Sequence, residues 1–398
     1  VADEYFKVKH QKKSWQSVNV PSFWGDDEYN GIGWYAKTFT LNKCWSGKKI
    51  ALFFESVDDE AVVYLNGKKI IEHSGYNVSF NKDVTRDLLI NEENHLVVKI
   101  NDTGGAGGLC GDVYLREFAK AEDLLKSEYF SRESTTLPKW AENTLIYELY
   151  VRAHSEAGQF QNVIHDLPRL KEMGVGCIWL MPIFPIGEVK RKGKLGSPYA
   201  IKDFKKVNPE YGSQEDFQQL IDQAHAMDIK IILDIACNHS SWDNWLIKKH
   251  PEYYTKNAKG EIIFPPGTDW TDVADFDYDH PDLRDYMWDV LEYWVKEFDV
   301  DGYRADVAEL VPDDFWQEAY DRLVKIKPDV LMLAEGAHPR LHVNGFHLTY
   351  AWNLRVTIAR ILSGEKPPVF LGEVLKRDHY RYPKNSTHMI FTENHDQK

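Results

Sequence analysis

Ile229-Lys230-Ile231-Ile232-Leu233-Asp234-Ile235-Ala236-Cys237-Asn238-His239 is an almost unbroken apolar run that ends in acid, amide and imidazole. A strand covered by helices on both faces reads this way, because it loses the in–out alternation of a half-exposed strand. Upstream, Leu145 to Val151 and Cys177 to Met181 are strand-like, and Val163, Ile164, Leu167, Leu170 and Met173 recur at helical spacing between them. Phe217, Leu220, Ile221 and Ala224 mark a second helix. Downstream come a helix over 281–298, strand Val300 to Arg304, a helix over 312–327 and strand Val330 to Ala334. Phe346 to Tyr350, a helix near 353–363 and Thr387 to Thr392 complete seven strands in a βα rhythm. Such a right-handed series predicts a (β/α)8 TIM-type barrel over 144–398, with an irregular insert at about 240–280. No GxGxxG or GxxxxGK[ST] follows a strand, which argues against nucleotide binding.

Before residue 120 the pattern changes. Trp34 to Leu41, Ala61 to Leu65, Lys68 to Ile71, His95 to Ile100 and Asp112 to Leu115 are short strands separated by turn signals. Asn66-Gly67 between two apolar runs is a hairpin signal, since both residues accept positive φ. Residues 1–118 therefore read as an antiparallel β-sandwich with a glycine-rich loop at 104–108. The charged stretch 119–143, with Pro138, reads as a linker. The whole is a multidomain protein.

Composition narrows the partners. The 398 residues carry 48 basic and 62 acidic side chains, a net charge of −14, and no basic cluster, which excludes nucleic acid as the main partner. The 43% hydrophobic content excludes disorder, yet no window approaches the roughly 20 apolar residues of a membrane span. Thirteen Trp, 21 Tyr and 19 Phe suit sugar faces as well as plain cores. Cys44, Cys110, Cys177 and Cys237 lack zinc-site spacing and read as buried small apolar residues.

The polar residues fall at strand C-terminal ends, the face on which such barrels place their sites. The third strand ends Asp234-Ile235-Ala236-Cys237-Asn238-His239, the fourth Arg304-Ala305-Asp306, the fifth Glu335, and the seventh Glu393-Asn394-His395-Asp396. A carboxylate at the mouth of a buried strand is costly unless paired or used. Converging carboxylates with an arginine and two histidines suit an oxocarbenium-like transition state: one attacks, one protonates the leaving oxygen, a third steadies positive charge. Arg304 stands two residues before Asp306, hence on the same face, where its cation is expected to hold Asp306 ionised. Glu335 lacks a sequence-adjacent cation, which leaves room for the raised pKa of a general acid. Asp, Asn, His and Glu also build metal sites, but no HxxxH or HxH spacing accompanies them.

These strand ends resemble the four conserved regions of the family-13 glycoside hydrolases, the α-amylase family: Asp234 to His239, Asp301 to Asp306, Ala334-Glu335-Gly336, and Phe391 to Asp396. The resemblance implies Asp306 as nucleophile, Glu335 as general acid/base and Asp396 as transition-state stabiliser. It implies sugar binding by Arg304, His239 and His395, and, through Ser197-Pro198-Tyr199, stacking by Tyr199. Asp234 and Asn238 read as structural. The insert corresponds to the family's domain B. Calcium is not needed for the chemistry, but a structural calcium with Asn238 as a ligand, and Asp269, Asp272, Asp275 and Asp277 nearby as candidates, is one expectation. Trp242, Trp245 and Trp270 in the insert are subsite candidates, Trp242 and Trp270 foremost. The family's usual Lys-His pair, three and four positions after the nucleophile, is Glu309-Leu310 here. That departure puts ordinary endo-amylase specificity in doubt. The first 118 residues resemble the sugar-binding domain of family-2 glycoside hydrolases, with Trp15, Trp24 and Trp34 read either as core or interdomain packing or as a glycan platform.

The expected activity is retaining hydrolysis of α-glucosidic bonds in starch-derived glucans, with transglycosylation or non-catalytic glycan binding as the alternatives. The oligomeric state is not legible. A first residue other than methionine and an extracellular glucan supply favour a secreted or periplasmic protein over a cytoplasmic one. The chain stops directly after the seventh strand, and a seven-strand barrel would bare two sheet edges. The expectation is a barrel cut short, in a chain that is part of a longer three-domain protein.

Overall fold

A computed structural model describes residue 15 and residues 17–23, 31–57, 60–74, 79–102 and 107–396. Trp24, and Gly104, Gly105 and Ala106 of the glycine-rich loop, lie outside the described residues. The chain divides into two compact units, Val1–Lys126 with Pro266–Asp269, and Ser127–Pro265 with Trp270–Lys398. The division falls inside the stretch read as a linker. That stretch holds two short 3-10 turns, Ala121–Leu124 and Lys139–Ala141.

In the first unit the strands are β1 (Ser22–Phe23), β2 (Gly31–Thr40), β3 (Ile50–Phe54), β4 (Glu60–Leu65), β5 (Lys68–Ser74), β6 (Phe80–Asp83), β7 (Glu93–Asp102), β8 (Gly108–Leu109) and β9 (Val113–Glu117). Two antiparallel sheets, ordered β2-β7-β4-β5 and β6-β3-β9, enclose one core that includes Leu52, Phe54, Val63, Leu65, Val98 and Ile100. The β4–β5 hairpin turns at Asn66 (φ 50°) and Gly67 (φ 87°), as the Asn-Gly dipeptide predicts. Asn66 also ties the turn down, accepting from the His95 amide at 2.8 Å. Trp34 lies on β2. Of the cysteines, Cys177 and Cys237 are buried as read, but Cys44 is exposed on a 3-10 turn and Cys110 half-buried, so small apolar packing describes only two of the four.

The second unit is built on seven parallel strands: β10 (Leu145–Leu149), β11 (Val175–Leu180), β12 (Lys230–Ala236), β15 (Gly302–Asp306), β16 (Leu331–Ala334), β17 (Leu348–Tyr350) and β18 (Thr387–Met389), hydrogen-bonded in that order. This is the barrel sequence of neighbours, and among the described residues no pairing joins β18 to β10. In the insert, β13 (His239–Ser241) and β14 (Val273–Asp275) form a small antiparallel ribbon. Helices cover the outside: α1 (Val151–His154), α2 (Phe160–Glu172), α3 (Gln214–Ala226), α4 (Leu246–Lys249), α5 (Pro281–Phe298), α6 (Asp313–Ile326), α7 (Trp352–Leu362) and α8 (Val369–Arg381).

Local rules set these helices. In α2, Phe160, Val163, Leu167 and Leu170 are buried at three- and four-residue spacing, one apolar stripe against the sheet. The N-terminus of α3 is closed by a capping box: the Asp216 amide donates to Ser213 Oγ at 3.2 Å, and the Ser213 amide to Asp216 Oδ2 at 2.8 Å. Pro281 starts α5, and Asp299 ends it in the left-handed conformation (φ 58°). Trp294, Trp316 and Phe217 are fully buried between helices and sheet. Each such side chain contributes about 1.5–3 kcal/mol. Among the described residues no helix is long and apolar enough to cross a membrane.

Candidate active site

Register builds the site. Asp234 of β12 pairs with Arg304 of β15, and Arg304 with Leu333 of β16, so all three side chains share the inner face of the sheet. Two residues on, with the period of a strand, Asp306 and Glu335 return to that face at the C-terminal mouth. Arg304 has no solvent exposure and meets all three acids. Its Nη1 lies 2.8 Å from Asp306 Oδ1 and 2.9 Å from Asp234 Oδ1; its Nη2 lies 2.9 Å from Glu335 Oε2. The last contact is an ion pair off the line of a hydrogen bond, since Nη2 has no partner of hydrogen-bond geometry.

One correction to the sequence reading follows. Adjacency assigned the Arg304 cation to Asp306 alone and left Glu335 without one, whereas the fold gives both carboxylates the same guanidinium. Nor does Arg304 hold Asp306 low. Burial pushes Asp306 well above the ordinary carboxylate range, Arg304 opposes, and the neighbouring Glu335 and Asp234 carboxylates add to the rise. Glu335 also accepts from the Val307 amide at 2.8 Å. Val307 is β-branched yet left-handed (φ 37°), a costly conformation held where the chain turns from one acid toward the other.

A second ring of contacts surrounds the cluster. Tyr199 donates to Asp234 at 2.9 Å, and its ring lies 5.6 Å from that of His395, nearly parallel. His395 bridges Glu148 at 2.5 Å through Nδ1 and the Tyr199 hydroxyl at 2.9 Å through Nε2. Burial pulls His395 down, but the Glu148 carboxylate outweighs it and the pKa is raised. His239 is 3% exposed, and burial lowers its pKa to about 4, leaving it neutral at ordinary pH. Its Nε2 faces the Tyr199 carbonyl at 3.2 Å, so Nε2 carries the hydrogen, and Nδ1, which has no partner, is an unfilled acceptor.

The other candidates are less closely gathered. The side chain of Asp396 is 47% exposed and reaches His395 at 3.4 Å; its described polar contacts do not include Arg304, Asp306 or Glu335. Trp270 meets the His239 ring edge-on at 5.8 Å. Trp242 donates to the Thr271 carbonyl, and the Lys190 ammonium sits 3.3 Å from its ring centre, covering one face. Trp245 is exposed and packs edge-on against Tyr286.

Asn238 is 2% exposed, and among the described residues neither atom of its side-chain amide has a partner. Calcium takes six to eight oxygens, carboxylates foremost. Among the described residues no three His, Cys, Asp or Glu side chains group for a metal, and Asp272 faces Lys192 at 3.7 Å. Without such a group beside it, the Asn238 amide does not fit that donor set.

Sequence reasoning missed Glu148, Trp179 and Tyr350. Glu148 orients His395, Trp179 donates to Asp234 at 3.0 Å, and the Tyr350 hydroxyl accepts from Arg304 Nε at 3.3 Å. Glu148 could have been noticed as the sole acid in an otherwise strand-like run, Leu145 to Val151. The two aromatics carry no such mark, because inward-facing Trp and Tyr are ordinary core residues.

The chain is similar to known proteins. A family described as "Alpha amylase, catalytic domain" matches residues 116–263 and 267–398, and one described as "Glycosyl hydrolases family 2, sugar binding domain" matches 9–107. Alpha-amylase 3 of Dictyoglomus thermophilum is 29% identical over 294 residues, 65% of this chain and 57% of that protein. An alpha-amylase structure from Lactobacillus plantarum superposes with a TM-score of 0.61 at 42% identity, covering 65% of this chain and 64% of that one. A noncanonic maltogenic alpha-amylase from Thermotoga neapolitana gives 0.60 at 37%, covering 65% and 61%. The chain spans about half the length of the curated relatives it matches. With that catalytic domain matched over most of its length, and with the acid cluster placed at the mouth of the sheet, this chain belongs to the α-amylase family of glycoside hydrolases.

Proposed function

We propose that this protein hydrolyses α-glucosidic bonds of starch-derived oligosaccharides with retention of configuration. The observation that carries the reading is the sharing of one buried guanidinium by Asp306 and Glu335, which brings a nucleophile and an acid to the same point of the cleft. In the first step Asp306 attacks the anomeric carbon while protonated Glu335 gives its proton to the leaving oxygen; the C–O bond breaks and a glycosyl ester forms. In the second, Glu335 takes a proton from water, which attacks the same carbon and releases Asp306. Burial and the neighbouring carboxylates lift Asp306, and the Arg304 guanidinium opposes them, so it is this cation that favours the ionised nucleophile. Tyr199 is the stacking platform, and the buried His239 supports it from behind through the Tyr199 carbonyl. Arg304 and the raised His395, expected from the sequence to bind sugar, instead spend their donors on Asp234, Asp306, Glu148 and Tyr199 and hold the acids and the platform in place, and Asp396 takes the stabilising role by resemblance. Trp270 extends the sugar track, while Trp242, covered by Lys190 and packed against the core, supports the insert beside it.

Asp306→Asn is expected to lower turnover of maltoheptaose by at least about 10³-fold. Its melting temperature should not fall, because a buried charge is removed. A variant that stays active would overturn the assignment. Transfer is the second reading, favoured by Glu309-Leu310 in place of the family's cationic acceptor pair, with Leu310 50% exposed. Chromatography of maltoheptaose products separates the two: longer chains without net gain of reducing ends mean transfer.

A further inference from the structure

Glu309 sits three residues beyond Asp306, but its side chain turns toward the next strand end. Glu309 Oε1 accepts the amide hydrogens of Ala337 at 2.8 Å and His338 at 2.9 Å, the two residues that follow Glu335-Gly336. Gly336 lies so close beneath it that a Cβ there would come 2.7 Å from the same carboxylate oxygen. The backbone of this segment is also caught: Arg340 donates to the Glu309 carbonyl at 2.9 Å while pairing with Asp313 at 3.2 Å. Between these contacts, the Val307 amide holds the Glu335 carboxylate, the Ala308 amide the Glu335 carbonyl at 3.2 Å, and the Glu335 amide the Ala305 carbonyl at 2.9 Å. Segments 305–309 and 335–338 are thus laced together on both sides of Glu335, and Glu309 closes the far end.

We propose that Glu309 is a positioning residue for the acid: its carboxylate clamps the loop after Glu335 and so sets where Glu335 delivers its proton. Consecutive amides pointing at one oxygen form a concave anion site, and a charged acceptor fills it better than a neutral one. Without the carboxylate, two inward-facing N–H groups lose their acceptor and the loop relaxes. A displacement of about 1 Å at a proton-transfer group costs on the order of 10²-fold. The position that the family's acceptor-binding lysine would fill is thereby turned from holding sugar to holding the acid.

The proposal rests on Glu335 being the acid, and the test separates the two. Maltoheptaose needs a proton on its leaving oxygen, whereas α-maltosyl fluoride releases fluoride without one. Glu309→Ala in the full-length enzyme is expected to lower kcat/KM for maltoheptaose by about 50-fold and for the fluoride by less than about threefold. Glu309→Gln, which keeps an acceptor oxygen, should stay within about threefold of the parent on both. Equal losses on the two substrates, or no loss on maltoheptaose, would overturn the clamp. Glu335→Gln is the control, with a loss of at least about 10²-fold confined to maltoheptaose. If that control strikes both substrates alike, the reading of Glu335 falls; if the control holds and Glu309→Ala strikes both, the clamp alone falls. Should Glu309→Ala not fold, Glu309→Asp, one methylene short of the loop, must show the same split, and an unaffected Asp variant overturns the proposal.

Discussion

Arg304 is the residue on which the site turns. A guanidinium with no exposure would be costly alone, and three carboxylates around it would be costlier still without it. Arg304→Gln removes the cation and leaves Asp234, Asp306 and Glu335 facing one another. We expect a loss of about 3–5 kcal/mol in urea unfolding at neutral pH. Burial places the Asp234 and Asp306 pKa values above the ordinary range, so these acids take up protons readily as pH falls. The deficit should therefore shrink toward pH 5, and a deficit independent of pH would refute the electrostatic account. Which residue types form the cluster was legible from the strand ends. That one cation serves all three was not, because Asp234 and Glu335 stand 70 residues behind Arg304 and 31 ahead of it, joined only by register.

At the scale of elements, β15 and β16 carry Asp306 and Glu335, and their close approach depends on Gly302. Its φ of +150° suits glycine alone, and a Cβ would lie 2.0 Å from the Leu331 carbonyl oxygen. Gly302→Ala is expected to cost at least about 3 kcal/mol and to abolish turnover along with the β15–β16 pairing; an alanine variant with an unchanged melting temperature would contradict this. Strand runs rich in Ile, Leu and Val were readable to within two or three residues, as were α2, α3, α5, α6 and α7. The helix Val369–Arg381 was not, since its exposed Val369 and Leu375 break the single apolar stripe from which helices are recognised. Two sandwich strands escaped for different reasons: Ile50–Phe54 is short and wholly buried, with no alternation, and Phe80–Asp83 is mostly polar.

Across the whole second unit, burial holds a set of histidines neutral. His239, His347 and His388 are pushed down to about 4, His338 to about 3, and His342 well below the ordinary imidazole range. His342 and His388 share the Thr349 hydroxyl at 2.9 Å each. In the unfolded chain each titrates near 6.5. The folded pKa is thus the lower one, the stability is fully present above about 6.5, and it drains as pH falls toward 4. Each histidine contributes about 1.4 kcal/mol per pH unit in that window. Asp275, raised to about 6 by burial, works the other way, as do the raised Asp234, Asp306, Asp313 and Asp378 and the raised His395, so the histidine contribution is to be read by difference. The fall in the urea midpoint from pH 7 to pH 5 should be larger in the parent than in a His388→Gln variant, which lacks one of these titrations; an equal change in both would show that imidazole to be hydrated or paired.

The sequence by itself determined the two-unit plan, the parallel sheet and the residue types at its mouth, because apolar periodicity and turn chemistry act over a few neighbours in the chain. Only the tertiary structure decided how charge is shared there: one arginine for three acids, Glu148 recruited to His395, Glu309 turned onto the loop behind Glu335. Those pairings join residues far apart in the chain, and burial, which sets their electrostatics, exists only once the sheet and its helices have closed around them.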